Sequence, residues 1–132
     1  MPRYLALLLL IASNSCLCFG QNSEQYRTCN ENAKTQAAMN ACANEEARRV
    51  DAELNQVFRR LLSRAASQPD VRVKIEAAEE AWVAYRDAYM EAMYPAKDKL
   101  AEYGSVYPME ADLLRAKLTQ QQVAALKNLS QH

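Results

Sequence analysis

Cys29 and Cys42, with twelve residues between them and followed by the run Asn-Glu-Glu-Ala-Arg-Arg-Val-Asp-Ala-Glu-Leu-Asn at positions 44–55, constrain this chain more than any other feature. That run is rich in good helix formers. On one continuous helix, thirteen residues at about 1.5 Å each would hold the two Cα atoms roughly 20 Å apart, whereas a disulfide needs them within about 7 Å. If the cysteines bond, the chain turns back between them. Thr35 is the natural turning point, because its hydroxyl can cap a helix that carries Met39, Ala43, Ala47, Val50 and Leu54 on one face.

Compartment bears on the bond. Met1-Pro2-Arg3, an apolar run at 4–12, and Ser13-Asn14-Ser15-Cys16-Leu17-Cys18-Phe19-Gly20 follow the basic, apolar, small-residue order of a secretory signal. The run is too short for a stable bilayer span. Cleavage after Gly20 would divide the chain into a signal peptide, 1–20, and a single domain, 21–132, that is periplasmic or secreted. It would remove Cys16 and Cys18. The competing reading is a lipoprotein signal with Cys16 lipidated, and it is the only one that brings in a membrane; Ser13-Asn14-Ser15 matches it poorly. With export favouring oxidation and the lone His at position 132, a structural disulfide explains Cys29 and Cys42 better than a redox or metal site. A loop this short contributes about 3 kcal/mol in the chain-entropy model.

The mature chain of about 110 residues is one domain's worth, enough for a single core. Without Arg3 it carries 15 Lys plus Arg against 16 Asp plus Glu, a balance that argues against a nucleic-acid binder or a basic membrane-surface protein. Two Gly and four Pro in the whole chain point to helices. No strand-like alternation and no internal repeat interrupts that reading.

Around Leu54, at about 100° per residue, Met39, Ala43, Ala47, Val50, Val57, Phe58, Leu61 and Ala65 share a face, which predicts a long amphipathic helix over 36–66 ending before Pro69. Ile75, Ala78, Tyr85, Tyr89 and Met93 group around Trp82 in a second helix that Pro95 should end. Leu100 and Tyr103 continue the face in a further segment. Tyr103-Gly104-Ser105-Val106-Tyr107-Pro108 reads as a loop. A last helical region starts near Met109, and the capping box Thr119-Gln120-Gln121-Gln122 predicts two short helices meeting near Thr119, with Val123, Leu126 and Leu129 inward. The fold class is all-α: an antiparallel bundle of two long helices plus a shorter C-terminal helical region, with one disulfide.

Asp51 and Arg86 lie on the flanks of these apolar faces, so each is expected to be partly buried and to need a partner. An ion pair between the two long helices, with Asn55 one turn on from Asp51 in the same polar network, is the structural reading. A catalytic acid beside an electrophilic Arg is the functional one. Trp82, Tyr85, Tyr89 and Tyr103 could stack a carbohydrate, but their helical spacing favours core packing with hydroxyls at the rim. Glu45-Glu46 and Glu79-Glu80 are adjacent on a helix and point about 100° apart, so solvated carboxylates are expected in place of a glycosidase pair. No nucleophile elbow, phosphate loop or zinc-ligand cluster is present, and no cofactor or metal is expected.

Five pieces of the chain carry a resemblance: Thr35-Gln36-Ala37-Ala38-Met39-Asn40-Ala41-Cys42, Asp51-Ala52-Glu53-Leu54-Asn55, Ala81-Trp82-Val83-Ala84-Tyr85-Arg86-Asp87-Ala88, Gly104-Ser105 with Pro108-Met109, and Leu118-Thr119. In this order the chain resembles the lysozyme-inhibitor LprI family domain, a small helical module of exported bacterial proteins. Family members commonly carry a second cysteine pair, where this sequence has Met90 and Leu114. The resemblance implies that those two residues face each other as an apolar contact. Tyr103 stands where the family often has another Gly, which puts the geometry of that loop in question.

The resemblance also implies a non-enzymatic binding protein whose partner is lysozyme or another secreted protein, inhibiting a muramidase by occluding its cleft. Acidic groups near loop and aromatic residues suit a basic partner, which makes Glu91, Glu102 and Glu110 the candidate contacts. Two alternatives stay open. One is a small envelope hydrolase using Asp51, Asn55 and Arg86, and the other is an envelope-stress or immunity factor against a different secreted effector.

Overall fold

The computed structural model describes residues 22–131, so the leader, with its Cys16 and Cys18, and His132 lie outside the described residues. Among the described residues five helices form: α1 (Glu24–Asn32), α2 (Gln36–Arg64), α3 (Pro69–Met93), α4 (Lys99–Tyr103) and α5 (Tyr107–Leu129). The all-α bundle and the Cys29–Cys42 disulfide are as expected. Thr35 caps α2, its hydroxyl accepting from the Ala38 N–H at 3.1 Å. Pro69 opens α3 at the first helical position, where its missing N–H costs nothing, and α3 ends two residues before Pro95.

The core lies between α2 and α5. Val57 and Leu61 are buried with Val123 and Leu126, and Val50 with Ala116, each fully buried Val or Leu side chain being worth about 1.5–3 kcal/mol. Ala43, Ala47 and Ala116 are almost wholly buried, and their small size lets the helices approach closely. Polar links along the seam rise in step. Asn40 Nδ2 donates to the Ser105 carbonyl, Thr119 Oγ1 to Asp51 Oδ1, and Arg64 Nη1 to the Ser130 carbonyl. α5 therefore runs parallel to α2, and α3 is the antiparallel return between them.

Two expectations for this region are corrected. α5 is continuous through Thr119, which is 0% exposed and uses its hydroxyl across the helix interface instead of capping a new helix. Leu129, expected inward, is 46% exposed because it ends the last turn beyond the core.

Only Ile75 of α3 is buried, with Trp82 packed half-buried against the same core. Tyr85 and Tyr89 are not core residues: they are 56% and 37% exposed, and Met93 is 49% exposed. The reason is competition for one surface. α2 has a single apolar stripe, α5 covers it, and the C-terminal half of α3 finds no apolar face left to close against.

Candidate functional site

Asp51, Asn55 and Arg86 are not brought together. Arg86 donates from Nε and Nη2 to Oδ1 of the adjoining Asp87 at 3.0 and 2.8 Å, and its guanidinium carbon stands 5.2 Å from the centre of the Trp82 ring. Asp51 accepts from Thr119 at 3.3 Å. Asn55 is exposed on the outer side of α2. The expected Asp51–Arg86 ion pair is thus replaced by two separate contacts, because the flank of α2 that carries Asp51 faces α5, not α3. Trp82 gives Arg86 a cation–π partner, and Asp87 supplies its charge partner locally.

The buried carboxylate is Glu46, which the adjacent Glu45-Glu46 pattern had suggested would be solvated. It is 3% exposed. Its oxygens accept from the Ser23 backbone N–H at 3.0 Å, the Ser23 hydroxyl at 2.6 Å, and Arg49 Nε and Nη2 at 2.9 and 3.0 Å. Burial works against its charge, but the hydrogen bonds from Arg49 and Ser23 and the Arg49 charge outweigh burial and hold its pKa down at about 2. Ser23 is also the N-cap of α1, accepting from the Tyr26 N–H. Glu46 therefore fastens the start of α1 onto α2. The Cys29–Cys42 disulfide, with Cα atoms 5.7 Å apart, fastens its other end. Tyr26 fills the space between with Ala43, Met109 and Leu113. Burial, then the nearby Glu46 charge, pushes the Tyr26 phenol up. Every acceptor position of this carboxylate faces a donor, so its role is structural.

The exposed surface with the most distinctive chemistry runs along α3. Ala81, Ala84, Ala88 and Ala92 are exposed beside Tyr85, Tyr89 and Met93. At about 100° per residue these seven fall on one side of the helix, while Glu79, Glu80, Arg86, Asp87 and Glu91 fall on the other. The result is an uncharged solvent-facing strip over residues 81–93, with the Tyr85 and Tyr89 rings 5.9 Å apart at its centre. Its far end meets a rigid corner. Tyr94, Tyr103 and Tyr107 pack with ring centres 5.0 to 5.8 Å apart, and the Tyr103 hydroxyl accepts from the Ala96 N–H. Tyr103 thus stands in an aromatic cluster where related sequences often have Gly. Gly104 turns the chain at φ 75°, and Asn40 holds the following Ser105 carbonyl.

A family model described as Lysozyme inhibitor LprI matches residues 29–126. The chain belongs to the LprI family. The matched span begins at the first cysteine of the disulfide and ends at Leu126 in the core between α2 and α5. An uncharacterised protein of Rhizobium meliloti (strain 1021) is 30% identical over 136 residues, covering 94% of this chain and 91% of that one. No solved structure matches the chain. At the LprI positions where a second cysteine pair is common, Met90 and Leu114 are both half-buried.

The three acidic candidates surround the aromatic corner of this LprI domain. Glu91 lies at the charged edge of the α3 strip and accepts from Lys99 Nζ at 3.0 Å. Glu102 is exposed on α4, and Glu110 is exposed in the first turn of α5. Burial, followed by the charge of Glu110, raises the Tyr94 phenol, which places that carboxylate close to the cluster. An apolar strip edged by acidic side chains has the anatomy of a protein interface, with a desolvated centre and a polar rim.

Proposed function

We propose that this protein is an exported, non-enzymatic binding module that inhibits a lysozyme-class muramidase by covering its substrate cleft. The leader pattern at 1–20 and a disulfide that suits an oxidising compartment support export. Membership of the LprI family supports the class of partner. The observation that carries a binding role is the strip on α3, since a folded helix that leaves tyrosines and a methionine in water beside alanines has surface to bury on a partner. Tyr85 and Tyr89 would anchor the contact. Glu91, Glu102 and Glu110 would meet cations of a basic muramidase and speed association. The hydrolase alternative called on Asp51, Asn55 and Arg86 as one cluster, and it is the weaker reading because Asp51 accepts from Thr119 while Arg86 pairs with Asp87.

The test is lysis of a peptidoglycan suspension by a purified muramidase, followed by loss of turbidity, with the exported protein added at increasing ratio. Dose-dependent protection is expected, weakened at least tenfold by Tyr85→Ala with Tyr89→Ala and more modestly by Glu102→Lys with Glu110→Lys. Lysis unaffected at a large molar excess would refute muramidase inhibition. Protection that survives the double tyrosine change would move the contact off α3.

A further inference from the structure

At the other end of α2 the chemistry is of the opposite sign. A cleft of about 230 Å³ opens between the C-terminal ends of α2 and α5, lined by Val57, Arg60, Leu61, Arg64, Lys127 and Ser130. Val57 and Leu61 are core residues and form an apolar floor. Three cations stand around it. Lys127 Nζ donates to Glu53 at 2.7 Å, and Arg64 spends one nitrogen, Nη1, on the Ser130 carbonyl at 3.0 Å. Arg60 has no carboxylate at ion-pair distance among the described residues. Glu53 is the one acid in the group, and it is shared with Arg49.

Helix C-termini ordinarily repel anions. Here Leu61 and Leu126 accept from the Ala65 and Ser130 N–H groups, and Arg64 donates to the Ser130 carbonyl, so part of the carbonyl surface at these ends is already bonded. Each helix end carries about half a negative charge, against which the cleft sets the full positive charges of Arg60, Arg64 and Lys127. Two arginines offer planar pairs of N–H donors, a geometry that fits two oxygens of one phosphate better than a point charge does. The apolar floor suits a carbon substituent attached to that phosphate.

We propose that this cleft binds a phosphate ester, with Arg60 and Arg64 gripping the oxygens, Lys127 adding charge, and Val57 and Leu61 supporting the group attached. The proposal is independent of the muramidase reading, because every residue that lines the cleft belongs to α2 or to the end of α5, and none to the α3 strip or the aromatic corner. Two sources carry this chemistry, the headgroup of an anionic lipid and a soluble phosphate ester, and separate measurements tell them apart.

The exported protein would be floated with vesicles of phosphatidylglycerol in phosphatidylcholine and with phosphatidylcholine alone. In parallel, inorganic phosphate would be titrated while following the NMR signals of Arg60 and Lys127. Arg60→Glu is the informative variant, since Arg60 holds no partner whose loss would disturb the fold. Arg59→Glu makes the same charge change on α2 outside the cleft and serves as the control. Expected is saturable movement of the Arg60 signals with phosphate, on the order of tenfold weaker after Arg60→Glu and changed less than twofold after Arg59→Glu. Retention on anionic vesicles as well assigns the site to a lipid headgroup, and phosphate binding without retention assigns it to a soluble ester. Arg60 signals that do not respond to phosphate, or equal losses in the two variants, would overturn the proposal.

Discussion

Replacing Glu46 by Gln tests whether the arm formed by α1 is held by charge as well as by the disulfide. Three donor groups, the Ser23 N–H, the Ser23 hydroxyl and the Arg49 guanidinium, converge on one carboxylate whose side chain is 1% exposed. Glutamine is nearly the same size but offers one acceptor oxygen, and it turns an N–H₂ toward groups that are themselves donors. The magnitude follows from the pKa. Lowering a carboxyl from 4.5 to about 2 is a preference of about 2.5 units for the charged form in the folded state, or about 3 kcal/mol at 1.36 kcal/mol per unit.

Because the folded-state pKa is depressed, this stabilisation is present above pH 4.5 and is lost as pH falls toward 2. Urea unfolding of both proteins at pH 7 and pH 3 measures it. The wild type should be about 3 kcal/mol more stable at pH 7, with roughly 2 kcal/mol of that advantage gone at pH 3. Hydrogen exchange should locate the loss in α1, at the Tyr26 to Asn30 amides. Equal midpoints at pH 7, or a difference that does not shrink on acidification, would show that the carboxylate is not holding the arm.

Non-reducing mass spectrometry of the exported protein should find Cys29 and Cys42 bonded, and two free thiols would contradict it. Reduction should raise hydrogen exchange in α1 while most far-UV helicity remains. Arg86→Ala should cost less than about 1 kcal/mol, since its charge partner is the exposed neighbour Asp87. A loss of several kcal/mol would restore the buried interhelical pair. Replacing Met90 and Leu114 together by Cys should form a second disulfide on export and raise the melting temperature, whereas persistent free thiols would show that α3 and α5 do not meet there.

Much of α2 was legible because its information is local. One stripe of period 3.6 named Val50, Leu54, Val57 and Leu61, all of which are buried, with a hydroxyl at Thr35 marking where the helix begins and a ring at Pro69 marking that it has ended. Periodicity says which residues share a face but not what covers that face. The α3 stripe also follows helical spacing, yet it is covered at Ile75 and left open at Tyr85 and Tyr89. Its openness is decided by α5, a helix that presents a weaker pattern because Thr119 sits among its inward residues. The same Thr119 explains two misplaced expectations at once. Read locally it is the first residue of a capping box; in the fold it is the partner of Asp51, which removes the need for Arg86. Glu46 was illegible for a different reason, since its burial depends on Ser23, 23 residues away on a helix that the disulfide folds back. The exposed strip on α3 follows from all of this. A chain with three amphipathic helices and one tightly seamed pair has a third face to spare, and in this LprI domain that face carries no charge, leaving it suited to a partner's surface.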